Sequence, residues 1–413
     1  MTNSVLVSHD GVDLTNCGNW SMPCRTVRHA VKISKDGDKI YIDYAQARPY
    51  KECENVTQAK CSIELTKSVS FHGMNGKALI QCKKSCELFK IWSLTFNKTK
   101  IKFFNLVMSA SSIVADLGVG ARTQLAFDNV LIRNNIYGIR GKYATDCSIL
   151  VTNSTFEDNS NWGIDLRCSN LSVNINSSIF MLSSVVFTND GSIPTLTERM
   201  EILIQNTVFN YQSTPRYNDM IAIKPYAATL NVTIIDSQIK NQNAMYRYDD
   251  KFSALHIYDY RAHVRYVTYL FLSNLVIENN NNWATFSLNL VHFNYTEVNV
   301  TIRDSIFRNN SAALRIWVRA LRCHKCKYSA ARVPTTLIEN STFVDNIYTQ
   351  YKPNGAAAIY FQIGRSRVLS CRFVDNSVGE NPYTGVVTIS EKARVTFFNS
   401  HFENRQEKVK STQ

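Results

Sequence analysis

One short phrase recurs along this chain of 413 residues. A chain that repeats a brief unit to its end buries apolar surface only by stacking the copies on one another. The clearest copies are Asn153-Ser-Thr-Phe-Glu-Asp-Asn159, Asp304-Ser-Ile-Phe-Arg-Asn-Asn310, Asn340-Ser-Thr-Phe-Val-Asp-Asn346 and Ser370-Cys-Arg-Phe-Val-Asp-Asn376, with Asn399-Ser-His-Phe402 as the last. Weaker copies start at Asn105, Asn129, Ser184, Asn206, Asp236 and Asn274, so successive starts lie 22 to 38 residues apart. Such a unit is too short for a helical hairpin. It carries two bursts of period-two hydrophobicity, one ending at the Phe and one following the Asp-Asn turn, as in Ala254-Leu-His-Ile-Tyr258, Ala313-Leu-Arg-Ile-Trp-Val318 and Ala358-Ile-Tyr-Phe-Gln-Ile363.

Strands stacked about 4.8 Å apart close a continuous core, so the pattern predicts an all-β parallel solenoid with the repeated Phe or Ile in an internal stack. The chain has 40 Asn and only 15 Gly, which assigns the sharp corners to Asn. This residue tolerates left-handed backbone angles, and its amide can bond to the Asn one coil away. A β-sandwich of hairpins would not need one motif repeated to the end of the chain.

Phe156-Glu-Asp-Asn159, Phe307-Arg-Asn-Asn310, Phe343-Val-Asp-Asn346 and Phe373-Val-Asp-Asn376 carry a resemblance to right-handed parallel β-helix proteins of the pectin-lyase-like type. They also resemble the Phe-x-x-Asn repeats of polymorphic membrane proteins. Gly355-Ala-Ala-Ala-Ile359 only approximates the companion Gly-Gly-Ala-Ile of those repeats, and Phe402-Glu-Asn-Arg405 loses the final Asn. The likeness spans about residues 60 to 405 and implies a fold far more than a function.

Ahead of the repeats, Thr26-Val-Arg-His-Ala-Val-Lys-Ile-Ser34 is amphipathic and Gly37-Asp-Lys-Ile-Tyr-Ile42 reads as a strand. We expect an N-terminal cap over 1–44, with a helix over 25–34 covering the end of the solenoid and a first strand over 39–43. One domain of about 11 coils follows over 45–405 and a polar tail over 406–413.

Of 11 cysteines, ten fall into candidate disulfide pairs by proximity: Cys17/Cys24, Cys53/Cys61, Cys82/Cys86, Cys147/Cys168 and Cys323/Cys326, with Cys371 left over. Asn-x-Ser/Thr sequons stand at Asn19, Asn55, Asn97, Asn153, Asn170, Asn176, Asn231, Asn294, Asn299, Asn309 and Asn340, although the repeat itself favours this composition. Together they point to an extracellular or cell-surface ectodomain. The first ten residues carry no apolar signal core and the chain has no membrane-spanning run, so we read it as a fragment lacking its signal peptide.

The formal net charge is +13, which favours acidic polysaccharide, a cell-surface glycoprotein or an anionic surface as partner. No nucleic-acid motif accompanies the charge. Strand alternation places Arg140, Asp165, Arg167, Lys224, His256, Tyr258, Asn289, Arg315, Trp317, Arg319, Tyr360 and Gln362 on one outer face. Aromatic planes with cationic neighbours suit sugar rings bearing carboxylate or sulfate. The long stretches around Tyr246 to Tyr266 and between Asp304 and Asn340 are candidate partner-contact loops.

No catalytic residues are assigned. Asp165 is the clear carboxylate on that face, the Gly-His-Gly of pectin-degrading hydrolases is absent, and Arg332-Val-Pro-Thr-Thr lacks a lyase-like second Arg. Cys323-His-Lys-Cys326 offers only two thiolates, so no metal or cofactor is expected. The sequence therefore predicts a non-enzymatic ligand-binding or adhesion ectodomain, with a secreted polysaccharide lyase or glycoside hydrolase as the alternative.

Overall fold

The computed structural model describes residues 3–403 apart from 45–47, 54–60, 83–85, 93–97, 110–111, 190–197, 212–218, 226–228, 245–252, 259–266, 283–286, 292–296, 318–334, 349–355 and 379–384. Apart from one helix, the described regular structure is β-strand, and the strand pairings given for it are parallel. The chain is a parallel β-helix, wound right-handed as parallel crossovers are. Residues group into two compact units, Met1–Ile193 with Glu198–Val208, and Pro194–Thr197 with Phe209–Gln413.

A coil has three sides. In the first unit Thr99–Phe104 lies on a long-strand side, Leu106–Ser109 on a short-strand side and Ile113–Leu117 on a third, after which Arg122–Asp128 returns to the first. Tyr137–Thr152 and Trp162–Asn176 each run from the third side onto the next long-strand side as one bent strand, with a register shift between Gly141 and Ala144.

Each position of the recurring phrase has one physical job. Its first residue turns the chain: Asn105, Asn129, Asn153, Asn206, Asp236, Asn274, Asp304, Asn340, Ser370 and Asn399 all have φ between 48° and 56°, the left-handed region that Asn and Asp tolerate best. The second residue is a buried hydroxyl. Ser154 Oγ donates to Thr152 O at 2.7 Å and accepts from Val130 N, while Ser305 and Ser341 repeat the arrangement. The Phe points inward. Phe156 stacks on Phe180 at 4.8 Å in the first unit, and Phe307, Phe343, Phe373 and Phe402 stack at 4.7, 5.0 and 4.5 Å in the second. Two residues beyond the Phe comes a second left-handed corner, Asp158, Asn309, Asp345 or Asp375.

The closing Asn then runs a buried amide ladder. Asn280 Nδ2 donates to Asn310 Oδ1, Asn310 to Asn346 and Asn346 to Asn376, each at 2.8–3.0 Å. A second column of stacked rings, Phe71, Phe103 and Phe127, fills the long-strand side of the first unit.

The cap helix spans Val27–Ile33, with Thr26 Oγ1 accepting from His29 N and with Val27, Ala30 and Val31 buried. Glu52, reaching over from the first coil, accepts from Val27 N and Arg28 N at 2.8 and 3.0 Å and so satisfies helix N–H groups that have no partner within the helix. Burial pushes the Glu52 carboxyl pKa up, against those two bonds.

Two details differ from the sequence expectation. Lys39–Asp43 is not the first strand, because Ser4–Val7 precedes it and pairs with it in parallel; its last three residues, Val5, Leu6 and Val7, are all buried, so it shows no period-two alternation. Thirteen short strands are described rather than about 11 coils, since Tyr50–Lys51 and Ala78–Gln81 precede the first recognisable copy of the phrase at Asn105. The tail over 406–413 lies outside the described residues.

The cysteines also pair across coils rather than within turns. Cys53 bonds Cys82 and Cys61 bonds Cys86, in place of Cys53/Cys61 and Cys82/Cys86, because strand register sets Tyr50–Lys51 beside Ile80–Gln81 and Ile63–Leu65 beside Phe89–Ile91, which brings the cysteines of neighbouring coils together. Cys17–Cys24 and Cys147–Cys168 are also bonded. Cys323 and Cys326 lie outside the described residues, and Cys371 is free and buried.

Candidate functional site

On the third side of the first unit, the outward position of five successive strands alternates in charge. Glu64 pairs in register with Lys90, Lys90 with Asp116, Asp116 with Arg140, and Arg140 with Asp165. At rung spacing, neighbours lie about 4.8 Å apart, close enough for each charge to be countered by the next.

Arg140 is the centre of this ladder. Its Nε donates to Asp116 Oδ1 at 2.8 Å, its Nη2 lies 3.5 Å from Glu87 Oε1, and its guanidinium sits over the Tyr137 ring at 5.4 Å. Burial pulls the Arg140 pKa down, but the bond to Asp116 and the fields of Asp116 and Glu87 more than reverse this, so it ends above its ordinary value. Arg167 Nε lies 3.8 Å from Asp165 Oδ1.

Aromatic rings border the charges. Lys90 sits over Trp92 at 4.8 Å, and Tyr137 pairs in register with Trp162. Gly118 makes room for Trp92, since a Cβ there would fall 2.5 Å from its ring. Lys90, Arg140, Arg167, Trp92, Tyr137 and Trp162 are all half-buried, whereas Asp116 and Asp165 are only 8 % and 4 % exposed, so the strip offers the cations and the rings to a ligand and keeps those two carboxylates beneath them.

The corresponding side of the second unit is built differently. His256, Asn289, Arg315 and Tyr360 form one column in register, as the alternation implied. His256, Asn289 and Tyr360 are nevertheless only 2–4 % exposed, so this row is no open platform. Asp219 anchors its lower end: Oδ1 accepts from Ser253 N at 2.6 Å and Oδ2 lies 3.3 Å from His256 Nδ1. Burial raises the Tyr360 pKa, opposed by Arg315, whose guanidinium lies 5.8 Å from the ring centre.

Of the remaining candidates, Lys224 is half-buried at the end of Ile221–Lys224. Tyr258, Trp317 and Gln362 lie on strands, with side chains outside the described residues. Arg319 and the loop over 246–266 lie outside them altogether, as do Asn55, Asn97 and Asn294. Among the sequons, Asn19, Asn153, Asn231, Asn309 and Asn340 are exposed, and Asn170, Asn176 and Asn299 are half-buried.

Asp116, Glu87, Glu64 and Lys90 escaped the sequence reading. They lie on Ile63–Leu65, Glu87–Ile91 and Ile113–Leu117, runs of three to five residues without the clear period-two burst that marks the later strands of this side. The alternation of Glu87-Leu-Phe-Lys-Ile91 was the available signal.

One group of three metal-ligand side chains occurs among the described residues, the sulfurs of Cys53, Cys82 and Cys86 within 4.8 Å of one another. All three are in disulfides, which leaves no thiolate to ligate an ion.

Fold and site together define a parallel β-helix with a charge-paired, aromatic-bordered strip along one side. Similar solved structures include a rhamnogalacturonan lyase, at 11 % identity and TM-score 0.35 over 95 % of this chain and 87 % of that one. Another is the Streptococcus pneumoniae surface protein and adhesin PfbA, at 11 % and 0.41 over 92 % and 94 %. A third is the catalytic domain of a GH87 alpha-1,3-glucanase in complex with nigerose, at 10 % and 0.44 over 96 % and 68 %. These likenesses transfer no site residue to this chain. No family model and no curated protein sequence matches it.

Proposed function

We propose that the chain is an extracellular β-helix ectodomain that binds glycans without cleaving them, through the strip centred on Arg140. The carrying observation is the row of half-buried Tyr137, Trp162 and Trp92 beside in-register charges of alternating sign, with Arg140 held by Asp116 at their centre. Such rings offer flat faces for sugar rings, and fixed carboxylate and guanidinium groups offer acceptors and donors for hydroxyls. Because Arg140 is countered by Asp116 and Glu87, and Arg167 stands 3.8 Å from Asp165, this strip suits sugar hydroxyls better than the acidic groups of a polyanion. Four disulfides and five exposed sequons support the extracellular setting.

A secreted carbohydrate-active enzyme acting on acidic glycans draws its support instead from the Asp219–His256 contact, a carboxylate orienting an imidazole as a general base requires.

A glycan array paired with a turnover assay separates the readings. We expect binding with no new reducing or unsaturated ends. Trp162→Ala and Arg140→Gln should each weaken binding about tenfold with circular dichroism unchanged, on the scale of one lost aromatic or charge-assisted contact. Product formation that is lost in His256→Ala would establish the enzyme instead.

A further inference from the structure

The long-strand side of the first unit carries a second row of aromatic rings, pointing outward. Tyr41 pairs in register with His72, and His72 with Phe104. The His72 ring is stacked on Phe104 at 4.6 Å and 13°, with Tyr41 at 5.2 Å on its other side. All three rings are half-buried. Two residues back along the same strands, on the same face, stand Lys39, Ser70 and Lys102, also in register, and both lysines are exposed. Ser70 Oγ lies 3.0 Å from His72 Nε2 and fixes the ring between the two ammonium groups. On the far side of Tyr41, Asp43 is taken up by Asn75 Nδ2 at 3.1 Å.

Stacking between strands explains the rings as sheet stabilisers. It does not explain the unneutralised lysines beside them. In contrast to the Arg140 ladder, Lys39 and Lys102 are separated by a serine rather than by a carboxylate, so their field acts outward together. Two exposed lysines two rungs apart, with a serine and no carboxylate between them, suit a ligand that carries anionic groups at intervals, as sulfate esters along a sugar chain do.

We propose that Tyr41, His72 and Phe104 with Lys39 and Lys102 form a binding site for a sulfated polysaccharide, sugar faces on the rings and sulfate groups on the lysines. This rests on the reading of the chain as a glycan binder, but on a different side of the coil from the Arg140 strip.

The test is affinity of the full chain for a heparin hexasaccharide, its fully desulfated counterpart, which keeps the carboxylates, and neutral dextran. We expect the sulfated probe to bind at least about tenfold more tightly than the desulfated one, one tenfold step being a single charge contact's worth of affinity. The double variant Lys39→Gln/Lys102→Gln alters only exposed side chains and should lose at least that factor for the sulfated probe. Tyr41→Ala should weaken it while leaving circular dichroism unchanged.

Equal binding of the sulfated and desulfated probes, or wild-type affinity in the double lysine variant, overturns the proposal. If that variant binds normally while Trp162→Ala does not, the Arg140 strip stands as the glycan site and this inference alone falls. If the wild-type chain binds no glycan, both fall.

Discussion

His72 shows how one side chain couples packing to solution conditions. Burial lowers its pKa below the ordinary histidine value, and the fields of Lys39 and Lys102 lower it further. The native state therefore binds fewer protons at this site than the unfolded chain does between the folded pKa and about 6.5. Stability from His72 is fully present above about pH 6.5 and declines as the pH falls through that window. His72→Phe keeps a ring between Tyr41 and Phe104 and removes the proton. Melting temperatures measured from pH 8 to pH 5 should thus fall further for the wild type than for the variant, and parallel curves would disprove the coupling. Cys371 is a residue whose meaning only its neighbours reveal. It occupies the hydroxyl position of the recurring phrase, its Sγ lies 3.3 Å from Leu369 O as Ser341 Oγ lies 2.9 Å from Glu339 O, and it follows the backbone course of those serines. Burial pushes its thiol pKa up, which suits a packing role rather than reactivity. The unpaired cysteine of the sequence is thus a serine substitute in a corner.

At the scale of the coil, the phrase Asn-Ser-x-Phe-x-Asp-Asn encodes two left-handed corners, one hydroxyl bridge, one core ring and one rung of the amide ladder. Asn346 binds above and below at once: it donates to Phe307 O and Asn376 Oδ1 and accepts from Asn310 N and Asn310 Nδ2. Asn346→Ala strands several buried groups, each costing about 1–3 kcal/mol. We expect it to destabilise the second unit about as much as Phe343→Ala, for which a lost core ring costs about 3–5 kcal/mol. Chemical denaturation of both variants checks this, and a loss below about 1 kcal/mol for Asn346→Ala would show that the ladder is decorative. The same chemistry explains what the sequence made legible. Corners, ladders and stacked rings repeat in register, so each coil restates them and the fold is plain. The charge ladder has no such signature. Glu64, Lys90, Asp116, Arg140 and Asp165 become neighbours only because coils of 24 to 26 residues bring them together. Burial was equally illegible: alternation gives the side on which His256, Asn289 and Tyr360 stand, but not that they are covered.

Across the whole molecule the covalent bonds are unevenly placed. All four disulfides among the described residues lie within Met1–Ile193, and two of them clasp the first two coils beneath the helical cap. Those coils have turns of differing length and, on the short-strand side, no stacked Phe, so repetition stabilises them less than it does the Phe307 to Phe402 stack. Closing loops of 29 and 25 residues removes unfolded-state entropy worth roughly 3–4 kcal/mol each. The second unit has instead the uninterrupted amide ladder from Asn280 to Asn376. Loss of the four disulfides should therefore act on the first unit. In calorimetry with and without a strong thiol reductant, the transition assigned to the first unit should move down by several degrees, and further than that of the second. Limited proteolysis of the reduced protein should accordingly cut first before residue 193. Unfolding of both units together on reduction would mean that the cap and its clasps hold the second unit as well, and would refute their local role.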